Sequence, residues 1–205
     1  MEKVDTTQKL TFSDRLRIWF KWFLDPAAGF FNHLGLTPNT MTLLGLAGNF
    51  IGAFFVSQGR MTTGGLLMLV TTPLDALDGA MARLRGDANE WGAFVDSVTD
   101  RYSELAVLGG LLYYFSVTGD WLSSVVTFAA AAGTVLVSYV KARAESVGFS
   151  AKVGLLTRVE RFLVLAPLLV FNQPVWAVWF IAIFANFTAV QRIYYVRAQA
   201  RAQKK

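Results

Sequence analysis

The chain has 205 residues, 54% of them hydrophobic and only 16% charged, a balance that argues against a soluble globular protein and for an integral membrane protein. The absence of cysteine excludes disulfides, thiolate metal sites and a cysteine nucleophile. In so apolar a chain, the formal net charge of +5 favours contact with lipid head groups and phosphorylated substrates, and we expect no nucleic-acid partner.

The first distinctive segment comes before any apolar stretch of spanning length. From residue 15 to residue 23, basic side chains alternate with large apolar ones in the order RLRIWFKWF, and Asp25 and Pro26 follow. This pattern predicts an amphipathic helix that lies in the head-group layer of the membrane; the alternative is a helix that packs on the protein without a lipid role. We assign residues 1–38 to a cytoplasmic arm that contains this helix.

Six apolar stretches follow, and a spanning helix needs about 20 such residues. The stretches run approximately from Met41 to Gln58, Thr62 to Leu77, Gly92 to Val117, Trp121 to Tyr139, Phe162 or slightly earlier to Phe171, and Val175 to Tyr195. The second and fifth are short, and the second and third contain aspartates, so their polar ends are expected to reach an aqueous cavity. We therefore predict an all-α integral membrane protein with six transmembrane helices in residues 39–197 and a basic tail in residues 198–205.

The basic residues predict how these helices are oriented. Of the 19 Lys and Arg residues, only Arg60 lies in a link that we place outside, whereas the others lie in or border segments that we place inside. Because Lys and Arg are enriched in cytoplasmic loops, both termini are predicted to be cytoplasmic, which requires an even number of spans. We expect the protein to lie in a prokaryotic-type cell membrane.

Four aspartates cluster at the predicted cytoplasmic ends of the second and third stretches. Asp75 and Asp78 are three residues apart, and Asp96 and Asp100 are four apart, so each pair lies on one helical face. An unpaired carboxylate at the centre of a bilayer costs about 2.5 to 3.5 kcal/mol, so these side chains need a partner. The aspartate carboxylates offer only oxygen ligands, and no Cys or His lies nearby in the sequence. Such a set of ligands suits a hard cation such as Mg²⁺ or Mn²⁺. The alternative is a set of solvated helix caps.

Residues beside the aspartates extend this predicted site toward phosphate chemistry. Gly79 and Gly92 leave room for phosphates or for a neighbouring helix, and Arg83 offers a fork of donors to a phosphate. The alternative for Arg83 is that it only follows the enrichment of basic residues in cytoplasmic loops.

The CDP-alcohol phosphotransferases carry a signature that this stretch resembles at every fixed position: Asp75-x2-Asp78-Gly79-x2-Ala82-Arg83-x8-Gly92-x3-Asp96-x3-Asp100. The resemblance implies transfer of a substituted phosphate from a CDP-linked donor to an alcohol, with release of CMP. It also implies that the four aspartates hold one or two divalent ions, two being expected, against the CDP diphosphate. Asp100 would in addition be the base that activates the acceptor hydroxyl.

The same resemblance assigns residues to the nucleotide. Gly79, Arg83 and Gly92 would face the nucleotide and its diphosphate. Asn39 and Thr42 resemble a family motif near the nucleotide, although an Asn-Thr pair after a proline is equally an ordinary helix start. The family commonly forms homodimers; Gly109, Gly110 and the small residues at 129–133 suit either a dimer interface or packing within one chain.

A second basic set lies farther along the chain, near the predicted cytoplasmic ends of the fourth, fifth and sixth stretches. It consists of Lys141, Arg143, Arg158, Arg161 and Arg192. A glycerol or serine acceptor would not require so many cations, whereas a phosphorylated acceptor would. The alternative is that these side chains extend to the membrane surface or bind lipid head groups.

The pattern YxKARAE…RxxER…QR is similar to that of the phosphatidylinositol phosphate synthases, a branch of this family. The resemblance implies that Lys141, Arg161 and Arg192 hold the phosphate of inositol phosphate, and that CDP-diacylglycerol is the donor. Val159 departs from the branch, in which proline is expected. Glycerol 3-phosphate is also a phosphorylated acceptor, so phosphatidylglycerophosphate synthesis is the nearest alternative.

Other classes of protein fit the pattern less well. A cation or proton transporter would spread its acidic residues through the membrane, whereas these gather at one end beside Arg83. A prenyl-diphosphate transferase usually carries its acidic motifs on well separated helices. A protein that only binds partners has no use for the acidic array.

Overall fold

The computed structural model describes residues 12–87 and 89–203, with side chains for all of these except residues 12–20. The described residues form helices and no strands. The helices are α1 (Phe12–His33), α2 (Pro38–Ser57), α3 (Met61–Thr71), α4 (Pro73–Arg85), α5 (Glu90–Val117), α6 (Trp121–Ser146), α7 (Arg158–Val170) and α8 (Pro174–Ala202).

Four helical segments of the described chain are long and apolar enough to cross a membrane. They are α2, α6, α8 and the segment Met61–Arg85, which comprises α3 and α4. The prediction of an all-helical protein is therefore confirmed for the described residues, four segments of which are candidate membrane spans. The six apolar stretches all form helices, but α5 and α7 are not among the four candidate spans, so the number of six stays a prediction.

The first helix extends beyond the proline at which its amphipathic pattern ends. α1 continues through Pro26 to His33 and packs against α4, where Ala28 joins a buried cluster with Leu77 and Met81. Arg85 of α4 adds two polar links, because its Nε donates to Asn32 Oδ1 over 2.6 Å and its Nη2 donates to the Leu36 carbonyl over 2.5 Å. The second half of α1 is thus attached to the protein.

The side chains of the basic and aromatic half of α1 are described only in part. Arg15, Arg17, Ile18 and Trp19 lie outside the described side chains, as do residues 1–11 of the predicted arm and residues 204–205 of the predicted tail. Trp22 is 78% exposed, which agrees with a helix that presents aromatic residues to lipid.

Glycines allow the long helices to approach one another closely. A Cβ atom on Gly110 of α5 would lie 2.5 Å from the Ala53 carbonyl oxygen of α2, and one on Gly133 of α6 would lie 2.5 Å from Asn186 Nδ2 of α8. A Cβ atom on Gly109 would meet nothing within 4 Å. Gly110 and Gly133 therefore serve packing within the chain, and the α2–α5 and α6–α8 pairs enclose the main apolar core.

A short break between α3 and α4 positions the first acidic pair. Pro73 lacks an amide hydrogen and takes the first position of α4, so the helix restarts there and carries Asp75 in its first turn. Gly86 ends α4 in the left-handed conformation with φ 72°, and the Asn89 side chain caps α5 by accepting a hydrogen bond from Gly92 N at 2.8 Å. Asp96 and Asp100, the second acidic pair, lie in the first half of α5.

Candidate active site

Three of the four predicted aspartates line one cavity of about 260 Å³ that extends along α4. The residues around it come from α1, α4 and α5: Lys21, Leu24, Asp25, Asp75, Ala76, Asp78, Gly79, Arg83 and Asp96. The structure thus brings Gly79 and Arg83 together with three of the aspartates, and their binding of the nucleotide diphosphate stays a prediction. A Cβ atom on Gly79 would contact only Arg83 Nη1, at 3.4 Å, so the cavity is open at this point.

Asp78 is held in place by a residue of α2. Asp78 is 6% exposed, and the Thr42 hydroxyl, itself buried, donates a hydrogen bond to its Oδ2. Thr42 therefore orients a predicted metal ligand, which is a different contact from the predicted one with the nucleotide. Asn39 is exposed in the first turn of α2 and is not among the residues that line the cavity.

Asp75 and Asp100 share a single cationic group, the guanidinium of Arg158 at the start of α7. Arg158 Nη2 lies 2.5 Å from Asp75 Oδ2 and 2.5 Å from Asp100 Oδ1, so it connects carboxylates of α4 and α5. The hydrogen bond goes to Asp75, and the buried Asp100 Oδ1 accepts none despite the short contact. Arg101 Nη1 lies farther away, 3.4 Å from Asp100 Oδ2.

The aspartates fit a divalent cation, although they do not form a closed ligand set. In the part of the chain that the structure describes, no three carboxylate or imidazole groups lie close enough together to hold one ion. Asp75 and Asp100 nevertheless converge on one positively charged atom, and one buried oxygen of Asp100 lacks a hydrogen-bond donor. Carboxylate oxygens are the donors that Mg²⁺ and Mn²⁺ prefer, so the residues present suit such an ion.

A second, smaller cavity connects the acidic site with α7. It has a volume of about 40 Å³, and its walls include Asp100, Ser103, Glu104, Arg158 and Arg161. The predicted base and two of the predicted acceptor-phosphate residues, Arg158 and Arg161, therefore face the same space. An acid beside arginines supplies the groups that an anionic, hydroxyl-bearing substrate needs, but a volume of about 40 Å³ holds only a few water molecules.

Comparison with known proteins agrees with this arrangement. The family model for CDP-alcohol phosphatidyltransferases matches residues 35–191. The chain is 36% identical to the phosphatidylinositol phosphate synthase of Streptomyces avermitilis over 95% of its own length and 86% of the length of that protein. The chain belongs to the CDP-alcohol phosphatidyltransferase family.

Solved structures from the same family share the fold. The crystal structure of the Mycobacterium tuberculosis phosphatidylinositol phosphate synthase with CDP-DAG bound superposes with a TM-score of 0.79 at 30% identity, over 84% of this chain and 92% of that chain. The same protein in complex with manganese and citrate gives a TM-score of 0.80 at 30% identity, over 84% and 88% of the respective chains. This chain is accordingly an integral membrane transferase of phospholipid biosynthesis from a metal-binding family.

In this phosphatidyltransferase the two innermost residues of the basic set are buried and bonded to the protein. Arg161 is 2% exposed, and its Nε and Nη2 donate to the Glu104 carboxylate in a bidentate pair, the second bond being 3.0 Å long. Arg192 is 5% exposed and donates to the carbonyls of Val153 over 2.8 Å and Val137 over 2.6 Å. Both arginines therefore tie helices and the link before α7 together.

The remaining members of the basic set differ from this pair. Lys141 and Arg143 are exposed near the end of α6, where Lys141 Nζ lies 4.0 Å from the Glu145 carboxylate. Arg158 contacts the aspartates, as described above. The structure thus places the five predicted cations in three environments.

The phosphatidyltransferase site also contains residues that the sequence did not indicate. Glu104 pairs with Arg161, Lys21 of α1 lines the larger cavity, and a Cβ atom on Gly45 of α2 would lie 2.5 Å from Asp75 Oδ1. Spacing along one helix cannot reveal these contacts, because each joins two helices that are distant in the chain. Of these, only Glu104 could have been found from the sequence, as an acidic residue one turn after Asp100 in an apolar segment.

Proposed function

We propose that this enzyme transfers the phosphatidyl group of CDP-diacylglycerol to a hydroxyl of inositol phosphate, producing phosphatidylinositol phosphate and CMP. The observation that supports this proposal best is the small cavity that Asp100 shares with Arg161. It brings the proposed base close to a cation suited to the acceptor phosphate. The similarity to the Streptomyces avermitilis synthase supports the same acceptor.

The donor would occupy the larger cavity, with its diphosphate beside the aspartates and its acyl chains in the membrane. Arg83 would donate hydrogen bonds to the diphosphate, and Gly79 and Gly92 would let it approach the helices. Asp75, Asp78, Asp96 and Asp100 would hold one or two Mg²⁺ or Mn²⁺ ions. A bound ion supplies positive charge that neutralises the phosphate oxygens during transfer.

Transfer requires one bond to form and one to break at the phosphorus of the phosphatidyl group. The acceptor oxygen bonds to this phosphorus, and the bond from the phosphorus to the oxygen of CMP breaks. Asp100 would accept the proton of the acceptor hydroxyl, and Thr42 would hold Asp78 in its orientation by the hydrogen bond described above. Arg83 would stabilise the negative charge that develops on the leaving CMP.

The acceptor phosphate would bind where the basic set meets the small cavity. Arg161 would contribute through two N–H groups, because three of the five in its guanidinium already donate to Glu104 and to the Leu156 carbonyl. Lys141 and Arg143 would attract the phosphate from the exposed end of α6, and Arg192 would fix the link before α7. Arg158 would add a further cation at the start of α7.

Membrane orientation forms part of the proposal. We infer six spans, with α5 and α7 completing the four candidates, both termini and the active site at the cytoplasmic face, and a homodimer as the assembly. The segments would be the arm at 1–38, the membrane domain at 39–197 and the tail at 198–205. Since the chain has no cysteine, single cysteines at Arg60 and Gln203 should react with an impermeant thiol reagent from opposite sides. Labelling of both from one side would contradict six spans.

The acceptor can be tested with purified protein in liposomes that contain CDP-diacylglycerol and Mg²⁺ or Mn²⁺. Inositol phosphate, glycerol 3-phosphate, inositol and serine are offered separately, and CMP release is measured. We expect the highest kcat/KM with inositol phosphate and little turnover with free inositol. A higher kcat/KM with glycerol 3-phosphate would instead establish phosphatidylglycerophosphate synthesis, and no CMP with any acceptor would refute the proposed reaction.

A further inference from the structure

Arg158 occupies the position that a cation between Asp75 and Asp100 would take. Its Nη2 atom lies 2.5 Å from an oxygen of each carboxylate, and these oxygens belong to different helices. A guanidinium nitrogen and a divalent ion cannot occupy this point together, because both are positively charged and their atoms would overlap. Binding of an ion by these two oxygens therefore requires the Arg158 side chain to move.

The surroundings of Arg158 allow such a movement. Its side chain is 32% exposed, whereas that of Arg161 one turn later is 2% exposed. The backbone before it is fixed, since Leu156 N donates to Thr188 Oγ1 over 3.2 Å and Arg192 Nε donates to the Val153 carbonyl over 2.8 Å. The start of α7 is thus attached to α8, and the long Arg158 side chain extends from a fixed point into the acidic site.

We propose that Arg158 is a positioning residue that exchanges with the divalent ion. Without an ion, its guanidinium neutralises Asp75 and Asp100 and keeps the two carboxylates close together. When an ion binds, Arg158 is released from them and turns toward the adjoining small cavity, whose wall it shares with Arg161. This inference rests on the metal site of the proposed function and adds that the site is preassembled by a competing cation.

Metal affinity and stability test this exchange without measuring activity. Protein purified in detergent and freed of metal is titrated with Mn²⁺, and its dissociation constant and thermal unfolding midpoint are measured for wild type, Arg158→Gln and Arg101→Gln. Arg101 is the matched control, because it also lies beside Asp100 but contacts the other carboxylate oxygen at 3.4 Å. Loss of a nearby charge is common to both variants, whereas loss of a competitor is specific to Arg158.

We expect Arg158→Gln to bind Mn²⁺ about tenfold more tightly than wild type, and Arg101→Gln to differ from wild type by less than about threefold. The metal-free Arg158→Gln variant should also unfold at a lower temperature, and saturating Mn²⁺ should remove most of this difference. Should Arg158→Gln not fold, Arg158→Lys, which keeps one charge but no fork, should show a smaller gain in affinity in the same direction.

Other results would overturn the exchange in distinguishable ways. Unchanged or weaker Mn²⁺ binding by the Arg158 variant, or equal gains in both variants, would refute the role of Arg158 and leave the metal site of the proposed function standing. Absence of Mn²⁺ binding in wild type and in both variants would refute that metal site and the exchange together.

Discussion

The two charged regions of the active site are built in opposite ways. The acidic region opens into a cavity of about 260 Å³, and three of its carboxylates line that space. The basic region is closed: Arg161 and Arg192 are 2% and 5% exposed and donate to Glu104 and to backbone carbonyls. The acidic region is therefore suited to receiving ligands, whereas the inner basic residues also hold the helices together.

This difference predicts how substitutions will act. Replacement of one carboxylate in the acidic region should remove activity with little effect on folding, because Asp75 and Asp100 share Arg158 and the loss of either leaves this cation paired with the other. A change in the inner basic region should affect folding and activity at once. The predictions below separate the two regions on this basis, beginning with the largest effect.

Replacement of Asp100 should cause the largest loss of activity. A general base usually contributes roughly 10²- to 10⁴-fold to a reaction rate. We expect Asp100→Asn to reduce CMP release by more than this, because the variant also lacks a metal-binding oxygen. The unfolding temperature should stay close to that of wild type. The measurement is the initial rate of CMP release in liposomes, together with binding of CDP, which we expect to be largely retained.

A conservative change far from the site provides the control for this experiment. Asp120 caps α6 by accepting a hydrogen bond from Ser123 N at 3.0 Å, and asparagine serves equally well at such a position. Asp120→Asn should therefore release CMP at the wild-type rate. Full activity in Asp100→Asn would remove Asp100 from its proposed role as the base.

Replacement of Arg161 should show the double role of the basic region. In Arg161→Ala the Glu104 carboxylate loses both of its hydrogen bonds from the guanidinium. Removing one partner of a buried ion pair destabilises a protein by about 3 to 5 kcal/mol, so thermal unfolding in detergent should begin at a clearly lower temperature. CMP release with inositol phosphate should also fall.

A double variant separates the structural role of Arg161 from its proposed role in binding the acceptor phosphate. The pair Arg161→Ala with Glu104→Ala leaves no unpaired charge, so much of the lost stability should return. Activity should remain low if Arg161 binds the acceptor phosphate as proposed. Recovery of activity together with stability would show that Arg161 acts only as a structural partner of Glu104.

The sequence predicted the acidic region better than the basic region, for a physical reason. Asp75 and Asp78 share a turn of α4, as Asp96 and Asp100 share a turn of α5, and spacing within one helix determines which residues are neighbours. Gly79 lies next to Asp78 in the chain, so it was found by the same pattern. Local periodicity was sufficient here because the site is assembled from two consecutive helices.

The basic region depends on contacts between distant helices. Arg161 and Glu104 are 57 residues apart, and Arg158 and Asp75 are 83 apart. No periodicity relates such positions, so the sequence predicted the charges but not their partners. Likewise, the length of α1 depends on its packing against α4, and its amphipathic pattern alone did not predict a helix that continues to His33.

The smallest expected effect concerns Lys21, which tests whether α1 belongs to the acidic region or only to the membrane surface. Lys21 is exposed but lines the larger cavity together with Arg83, so its ammonium group should attract the donor diphosphate. Exposed ion pairs contribute about 0.2 to 1 kcal/mol, so Lys21→Gln should raise the KM for CDP-diacylglycerol by about 1.4-fold to fivefold. The KM for inositol phosphate should not change.

Salt concentration sharpens this last test. Attraction between exposed charges decays over a screening length of about 8 Å at physiological ionic strength, and added salt shortens this length. The difference between Lys21→Gln and wild type should therefore shrink as salt is added. Arg201, an exposed cation near the end of α8, is the control, and Arg201→Gln should leave both KM values unchanged. A rise in the KM for the acceptor in Lys21→Gln would place α1 beside the basic region, and equal KM values in all three proteins would limit α1 to a role in membrane attachment.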